Sequence, residues 1–286
     1  MARRARSMLP AVACAAFLLA GLSVAPARAD QDLAKQSQNP LGTVISLPFE
    51  NNLLAGIGPS ETTAYLLNMK PVYPVNMGAV NLINRLTVPV IYSPGQDGPV
   101  PPDLRFDLPS GQSGIAQGSA FGLSDTTYQA FFGPAAPGAV IWGAGPALVL
   151  PTATEDRYAS DKWSAGPAVV ALATPGRWVA GVLAQNVWSF AGDSSAGDVN
   201  KLVFQYFLNY NLAGGWYLSS TPVLTANWEA ASDNRWTVPV GGGGGRLVRF
   251  GEQPVDFKLV AYYNVERPQF APDWTLQFQV KFLFPK

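Results

Sequence analysis

From about residue 30 onward the chain is a succession of short stretches in which apolar and polar side chains alternate, separated by Gly, Pro, Asn and Asp. The alternation is clearest near the end. Trp274, Leu276, Phe278, Val280, Phe282 and Phe284 share one parity, and Thr275, Gln277, Gln279, Lys281 and Leu283 the other. Successive side chains of an extended strand point to opposite faces, so a period of two with one apolar face predicts a strand with unlike surroundings on its two sides. The pattern recurs in 199–212, where Leu202, Phe204, Tyr206, Leu208 and Tyr210 oppose Gln205, Asn209 and Asn211, with Phe207 as an exception. It recurs in 254–266 and in 62–74, where Tyr65, Leu67, Met69 and Tyr73 oppose Asn68 and Lys70. Other segments are noisier, and Asn186 falls on the apolar face of its own segment. No helical 3.6-residue stripe persists anywhere.

About twelve such segments can be marked, near 42–50, 62–74, 80–92, 119–133, 139–152, 161–173, 177–190, 198–212, 215–229, 235–250, 253–266 and 273–284. A half-polar strand belongs either to a secreted β-sandwich, with the apolar face inward, or to a membrane barrel, with that face toward lipid. Two features favour the barrel. The connections alternate in length: 51–61, 93–118, 153–160, 191–197, 230–234 and 267–272 are on the whole longer than the turns near 75–79, 134–138, 174–176, 213–214 and 251–252. Long outer loops and tight periplasmic turns are the outer-membrane arrangement, and an even strand number suits it. Secondly, Trp142, Trp163, Trp178, Trp188, Trp216, Trp228, Trp236 and Trp274 all fall at segment ends. Amphipathic rings at both water–lipid boundaries form the girdles of such barrels. The expected fold is therefore all-β, an antiparallel up-and-down transmembrane barrel of about twelve strands.

The opening residues agree. Arg3, Arg4 and Arg6 precede an apolar run from about Leu9 to Ala25, and Ala27-Arg28-Ala29 supplies small residues for a cut before Asp30. This order of basic, apolar and small residues predicts a secretory signal peptide over 1–29 and one barrel domain over 30–286. The run sits at the lower limit for a spanning helix, and no later run is long enough. Cys14 lies inside it, so the mature chain has no thiol for a disulfide or a thiolate metal site. The sequence counts 19 basic and 19 acidic residues; four arginines lie in the leader, so the mature chain carries a net charge of −4 and no basic footprint for nucleic acid. Charged residues make up only 13%, about half the share in soluble domains.

Some positions resist. Pro71, Pro89, Pro146, Pro222 and Pro239 fall inside expected strands, where each removes a ladder donor, so bulges or shifted boundaries are expected. Gly241–Gly245 lacks the following Lys-Ser/Thr and the helix of a phosphate loop and reads as a kink or a close backbone approach. The last strand ends Phe284-Pro285-Lys286 rather than on the terminal aromatic usual for recognition by the barrel-assembly machinery.

Several stretches resemble a known family. They are Asn39-Pro40-Leu41-Gly42 with Ile45-Ser46-Leu47-Pro48-Phe49; Trp142-Gly143-Ala144-Gly145-Pro146 with Leu150-Pro151-Thr152-Ala153-Thr154; Lys162 to Pro167; Asn186 to Gly192; Asn227 to Ala230; and Phe278 to Lys286. Over nearly the whole mature chain they are similar to the outer-membrane barrel family labelled MetA-pathway of phenol degradation, whose members are often called "transporter" or "neuromedin U". The resemblance implies a membrane barrel and uptake of small, aromatic or hydrophobic compounds. It supplies no catalytic or binding residues. Gly122-Leu123-Ser124-Asp125 only partly matches the glycine-aspartate motif expected there.

The leading functional expectation is an outer-membrane channel or porin-like transporter for small solutes, in contact with outer-membrane lipid. Parity assigns Glu50, Lys70, Arg85, Gln205, Asn209, Lys258, Gln277, Gln279 and Lys281 to the lumen, either as filter or as paired structural residues. Lys70 and Arg85, on consecutive strands, are expected at similar depth, where they would repel unless Glu50, Asp256 or an anionic solute offsets them. An outer-membrane hydrolase would usually need a histidine base, and the chain has His 0, so no catalytic residue, cofactor or metal site is expected. The competing expectation is a structural or surface-binding barrel whose lumen is plugged, with the Gly- and Pro-rich 93–118 loop as the plug.

Overall fold

The computed structural model describes residues 28–95 and 118–285. The leader over 1–29 and the 93–118 loop therefore lie almost wholly outside the described residues. Fifteen strands form one antiparallel sheet. They are β1 (Ile45–Ile57), β2 (Thr62–Met69), β3 (Val72–Asn76), β4 (Val80–Ser93) and β5 (Ala120–Leu123). Next come β6 (Thr126–Pro134), β7 (Val140–Leu150), β8 (Lys162–Ala173), β9 (Trp178–Gly192) and β10 (Asn200–Asn211). The last five are β11 (Trp216–Ser220), β12 (Val223–Asn227), β13 (Trp236–Phe250), β14 (Gln253–Glu266) and β15 (Trp274–Phe284). Three pairs, β2 with β3, β5 with β6, and β11 with β12, are interrupted halves of single staves, so the wall has twelve staves. The first stave pairs with the last from Ile45↔Phe284 to Ala55↔Trp274, which closes the barrel. Closure leaves no open sheet edge, as lipid demands when water is not there to bond free N–H and C=O groups.

The expected prolines explain the interruptions. Pro71 and Pro222 fall in the breaks between β2 and β3 and between β11 and β12. Pro239 adjoins a register shift between β13 and β14, and Pro146 opposes Pro167 where the flanking ladders lapse. Pro89 lies opposite the break at Ser124-Asp125, its carbonyl accepting from the Ser124 N–H.

β1 runs to Ile57 rather than stopping near residue 50, so the first outer connection is only 58–61. Asn51 and Asn52 suggest a loop in the sequence, but both are bonded within the wall. Asn51 donates to the Phe278 carbonyl at 3.1 Å and accepts from Tyr65 Oη at 2.6 Å, while Asn52 accepts from Gln277 Nε2 at 2.9 Å. Asn186 is resolved the same way: it donates to Asn200 and accepts from the Trp228 indole at 2.9 Å, so its amide stays satisfied on the outer face.

The outer face is apolar, with Leu53, Val169, Val182, Leu208, Leu218, Val240 and Phe278 exposed along it. Tryptophans flank this band. Trp142, Trp178 and Trp216 sit at the short-turn end; Trp163, Trp188, Trp228, Trp236 and Trp274 sit at the long-loop end. Trp178 and Trp188 belong to one strand, and ten residues at about 3.3 Å each, tilted about 40°, span roughly 25 Å, the height of the apolar band.

One element departs from the all-strand expectation. α1 (Arg28–Gln38) is a helix at the short-turn end, too brief for its periodicity to register in the sequence. A cut after Ala29 would start the mature chain within its first turn. Leu33 and Ala34 pack against Leu247 of β13, Leu283 of β15 and Val44. Among the described residues no helix is long and apolar enough to cross a membrane.

Candidate functional site

The interior is divided by chemistry. On the side of β4 and β6–β10, the inward residues Ile83, Phe131, Ala168, Val170, Leu172, Val179, Leu183, Val187 and Phe207 form an apolar cluster joined by Leu41. Parity alone did not reveal this: one side of the interior is a hydrophobic core rather than a lumen lining. Gln129 donates to Gln185 within it, pairing two buried amides. Phe207, out of place on parity grounds as a lumen residue, is explained by this core. At the loop end a second cluster closes in. Tyr158, from the 151–161 connection, is fully buried against Leu54, Ile57, Leu66, Ile91 and Ala271, and burial pushes its phenol above the usual range.

The opposite side, built by β1, β2, β4, β10, β11, β14 and β15, is polar. Two cavities lie there, of about 110 and 40 Å³. Glu50, Lys70, Gln205 and Lys258 border both; Arg85, Asn209, Gln279 and Lys281 border the larger, and Gln277 the smaller. All nine residues chosen by parity thus surround the same connected region. Strand register explains the clustering, since Glu50, Gln279 and Lys258 face one another on β1, β15 and β14. One rung nearer the short turns, Lys281 lies between Pro48 and Asp256.

Lys70 and Arg85 are not level with each other. Arg85 opposes Val72, two residues past Lys70, because the register runs unchanged through the break at Pro71 to a turn closed by Asn76↔Asn81, later than the sequence suggests. Nor do they share a fate. Lys70 Nζ reaches Glu50 Oε2 at 2.6 Å, whereas Arg85 makes no hydrogen bond and its Nη1 is buried without a partner. Lys258 has only Thr221 Oγ1, at 3.3 Å. Asp256 accepts from Tyr217 Oη at 2.7 Å and lies 4.0 Å from Lys281. The Tyr217 ring occupies the space that a side chain on Gly245 would take, so the glycine run serves as a close approach.

α1 is the part of the site that sequence reasoning missed. Lys281 Nζ donates to the Ser37 carbonyl at 2.7 Å, and the Ser37 hydroxyl reaches Asp256 at 3.5 Å. Gln38 and Asn211 exchange reciprocal amide bonds of 2.9 and 3.0 Å, while Lys35 donates to the Gly176 carbonyl in a periplasmic turn. Residues 36–40 border the larger cavity, so the N-terminal segment forms its floor. Among the described residues this segment closes the cavity at the short-turn end; the 93–118 loop, expected as a plug, falls largely outside the described residues. The polar stretch Asp30–Gln38 was the available signal, but nothing local in it names its docking partners.

The partial motif at Gly122–Asp125 has a structural task. Ser124 donates to the Tyr158 carbonyl at 2.7 Å, and Asp125 accepts from the Ser160 N–H at 2.8 Å and from its hydroxyl. Ser124 and Asp125 are fully buried and tie the Tyr158 segment to the wall. Among the described residues no group of ligating side chains converges to hold a metal ion.

A closed twelve-stave wall, an apolar outer band between two tryptophan girdles and a charged interior define an outer-membrane β-barrel. The same fold is found in the COG4313 outer membrane channel from Pseudomonas putida F1, with a TM-score of 0.58 and 14% identity over 84% of this chain and 94% of that one. A weaker likeness, TM-score 0.43 and 10% identity over 93% of this chain and 95% of that one, is to the CymD monoaromatic hydrocarbon channel. No protein-family model and no curated protein matches the sequence.

Proposed function

We propose that the protein is an outer-membrane channel for small solutes, with α1 as a periplasmic plug. The observation that carries this reading is the pair of charged cavities at mid-wall. A purely structural barrel has no need to bury four cations against two carboxylates, since desolvating charge is costly unless it is compensated. The fold shared with a protein described as an outer membrane channel supports it. The resemblance to the phenol-degradation family extends the proposal to solutes with an aromatic or hydrophobic body, and the apolar half of the interior suits such a body. Outer-membrane lipid on the apolar band and the barrel-assembly machinery during biogenesis are the partners this reading requires.

A second reading has an observation of its own: α1 and Tyr158 close in on the interior from the two ends, as in a plugged structural barrel. Planar-bilayer recordings of the purified mature protein separate the two. Channel function predicts discrete conductance steps, larger or more frequent when residues 30–41 are deleted. An assembled, heat-modifiable barrel that conducts in neither form would leave the structural reading.

A further inference from the structure

The larger cavity has an unbalanced set of charges. Four cations border it, Lys70, Arg85, Lys258 and Lys281, against the carboxylates Glu50 and Asp256. Both carboxylates are engaged: Glu50 with Lys70 at 2.6 Å, and Asp256 with the Tyr217 hydroxyl and, at 4.0 Å, Lys281. Arg85 and Lys258 form no close ion pair, and Glu50, already held by Lys70, attracts both only from farther off. Lys258 is bonded only to a threonine hydroxyl, and the Nη1 of Arg85 is buried and bonded to nothing. A guanidinium nitrogen buried at the edge of a cavity and left unbonded is costly, so its persistence points to a counter-charge that arrives from outside the chain.

The two cations approach from different parts of the wall. Arg85 stands on β4 and Lys258 on β14, with three staves between them around the barrel. The space they border also carries Val44, Val72 and Phe207. A bare halide would gain nothing from those apolar side chains. A planar carboxylate matches the guanidinium fork, and a short hydrocarbon body covers the apolar surface.

We propose that the larger cavity binds a small organic carboxylate, its carboxyl group held by Arg85 with Lys258 as the second cation, and its apolar body against Val44, Val72 and Phe207. This names a ligand class for the channel proposed above and rests on that reading for its transport role, but not for binding itself.

The test is titration calorimetry of the purified, detergent-solubilised mature protein with butyrate, chloride and butylammonium. Saturable butyrate binding is expected. It should weaken about tenfold or more in Arg85→Gln, since a hydrogen bond to a charged group is lost. It should be unchanged in Arg177→Gln, a turn position that does not border the cavity. If Arg85→Gln fails to assemble as a heat-modifiable barrel, Lys258→Gln carries the comparison, with weakening again expected. Absence of saturable butyrate binding overturns the proposal. So does equal binding of butylammonium or chloride, or wild-type butyrate affinity in the assembled cavity variant. Butyrate binding without bilayer conductance removes the channel reading and leaves the site; conductance without saturable binding does the reverse.

Discussion

Replacing Leu33 by Ala tests whether α1 is a plug that can leave. Leu33 is 7% exposed and packs against Leu247, Leu283 and Val44, so the docked helix holds it away from water and the undocked helix releases it. Truncating a buried leucine to alanine costs about 2 kcal/mol or more. Alanine is as good a helix former as leucine, so the helix itself is not weakened and the loss falls on docking. About 2 kcal/mol corresponds to roughly a thirtyfold shift toward the undocked state, as long as the docked state dominates in the wild type. Two readouts should move together. The open fraction in planar bilayers should rise roughly thirtyfold, and so should the rate at which a Ser37→Cys variant is modified by a soluble thiol reagent, because both pass through undocking. Cys14, in the expected leader, is the sequence's one cysteine, so protein prepared from residue 30 onward has none to interfere. Leu53→Ala, on the outer face, should change neither. An assembled Leu33→Ala barrel with unaltered open fraction and labelling rate would show that α1 is a fixed part of the wall, and the plug would have to be sought elsewhere.

Other expectations follow from single contacts. Asp125→Ala should loosen the Tyr158 segment by about 2 kcal/mol, through loss of the bonds to Ser160 and a cavity beneath it; limited proteolysis within 151–161 should then quicken, and an unchanged cleavage rate would count against the tie. Gly245→Val should prevent assembly, since its side chain meets the Tyr217 ring and the Phe257 carbonyl, whereas Gly251→Ala, on an open turn, should assemble; the electrophoretic shift on heating reads both. Replacing Lys70 and Arg85 together by Gln should move the reversal potential toward cation preference, and each single variant should contribute, Arg85→Gln by removing a cation and Lys70→Gln by leaving the Glu50 carboxylate without its partner. An unaltered reversal potential in the assembled, conducting double variant would show that neither residue faces the conduction path. Cysteine scanning of 274–284 with an impermeant reagent should label Gln277, Gln279 and Lys281 but not Phe278, Val280 and Phe282; labelling without a two-residue period would undo the facing assignment.

The sequence by itself determined the wall. Strand parity is a local property, and a barrel in lipid allows one answer for each parity: apolar side chains outward, the rest inward. That is why β15 could be oriented from Trp274 to Phe284, why all eight tryptophans marked the wall's ends, and why the nine candidate residues surround one region. The tertiary structure decided what those residues meet. Parity placed Lys70 and Arg85 indoors together, but the position of the turn at Asn76↔Asn81 set them two residues out of step, and Lys70 alone forms the close ion pair with Glu50. The apolar half of the interior escaped notice because a strand with lipid on one face and an apolar core on the other is apolar at both parities and loses its sequence alternation, as β8 does from Ala168 to Leu172. Least legible was the floor of the cavity. Ser37 and Lys281 are 244 positions apart, and Gln38 and Asn211 are 173 apart. Contacts of that kind leave no local pattern in the chain, because they exist only once the last stave has closed on the first.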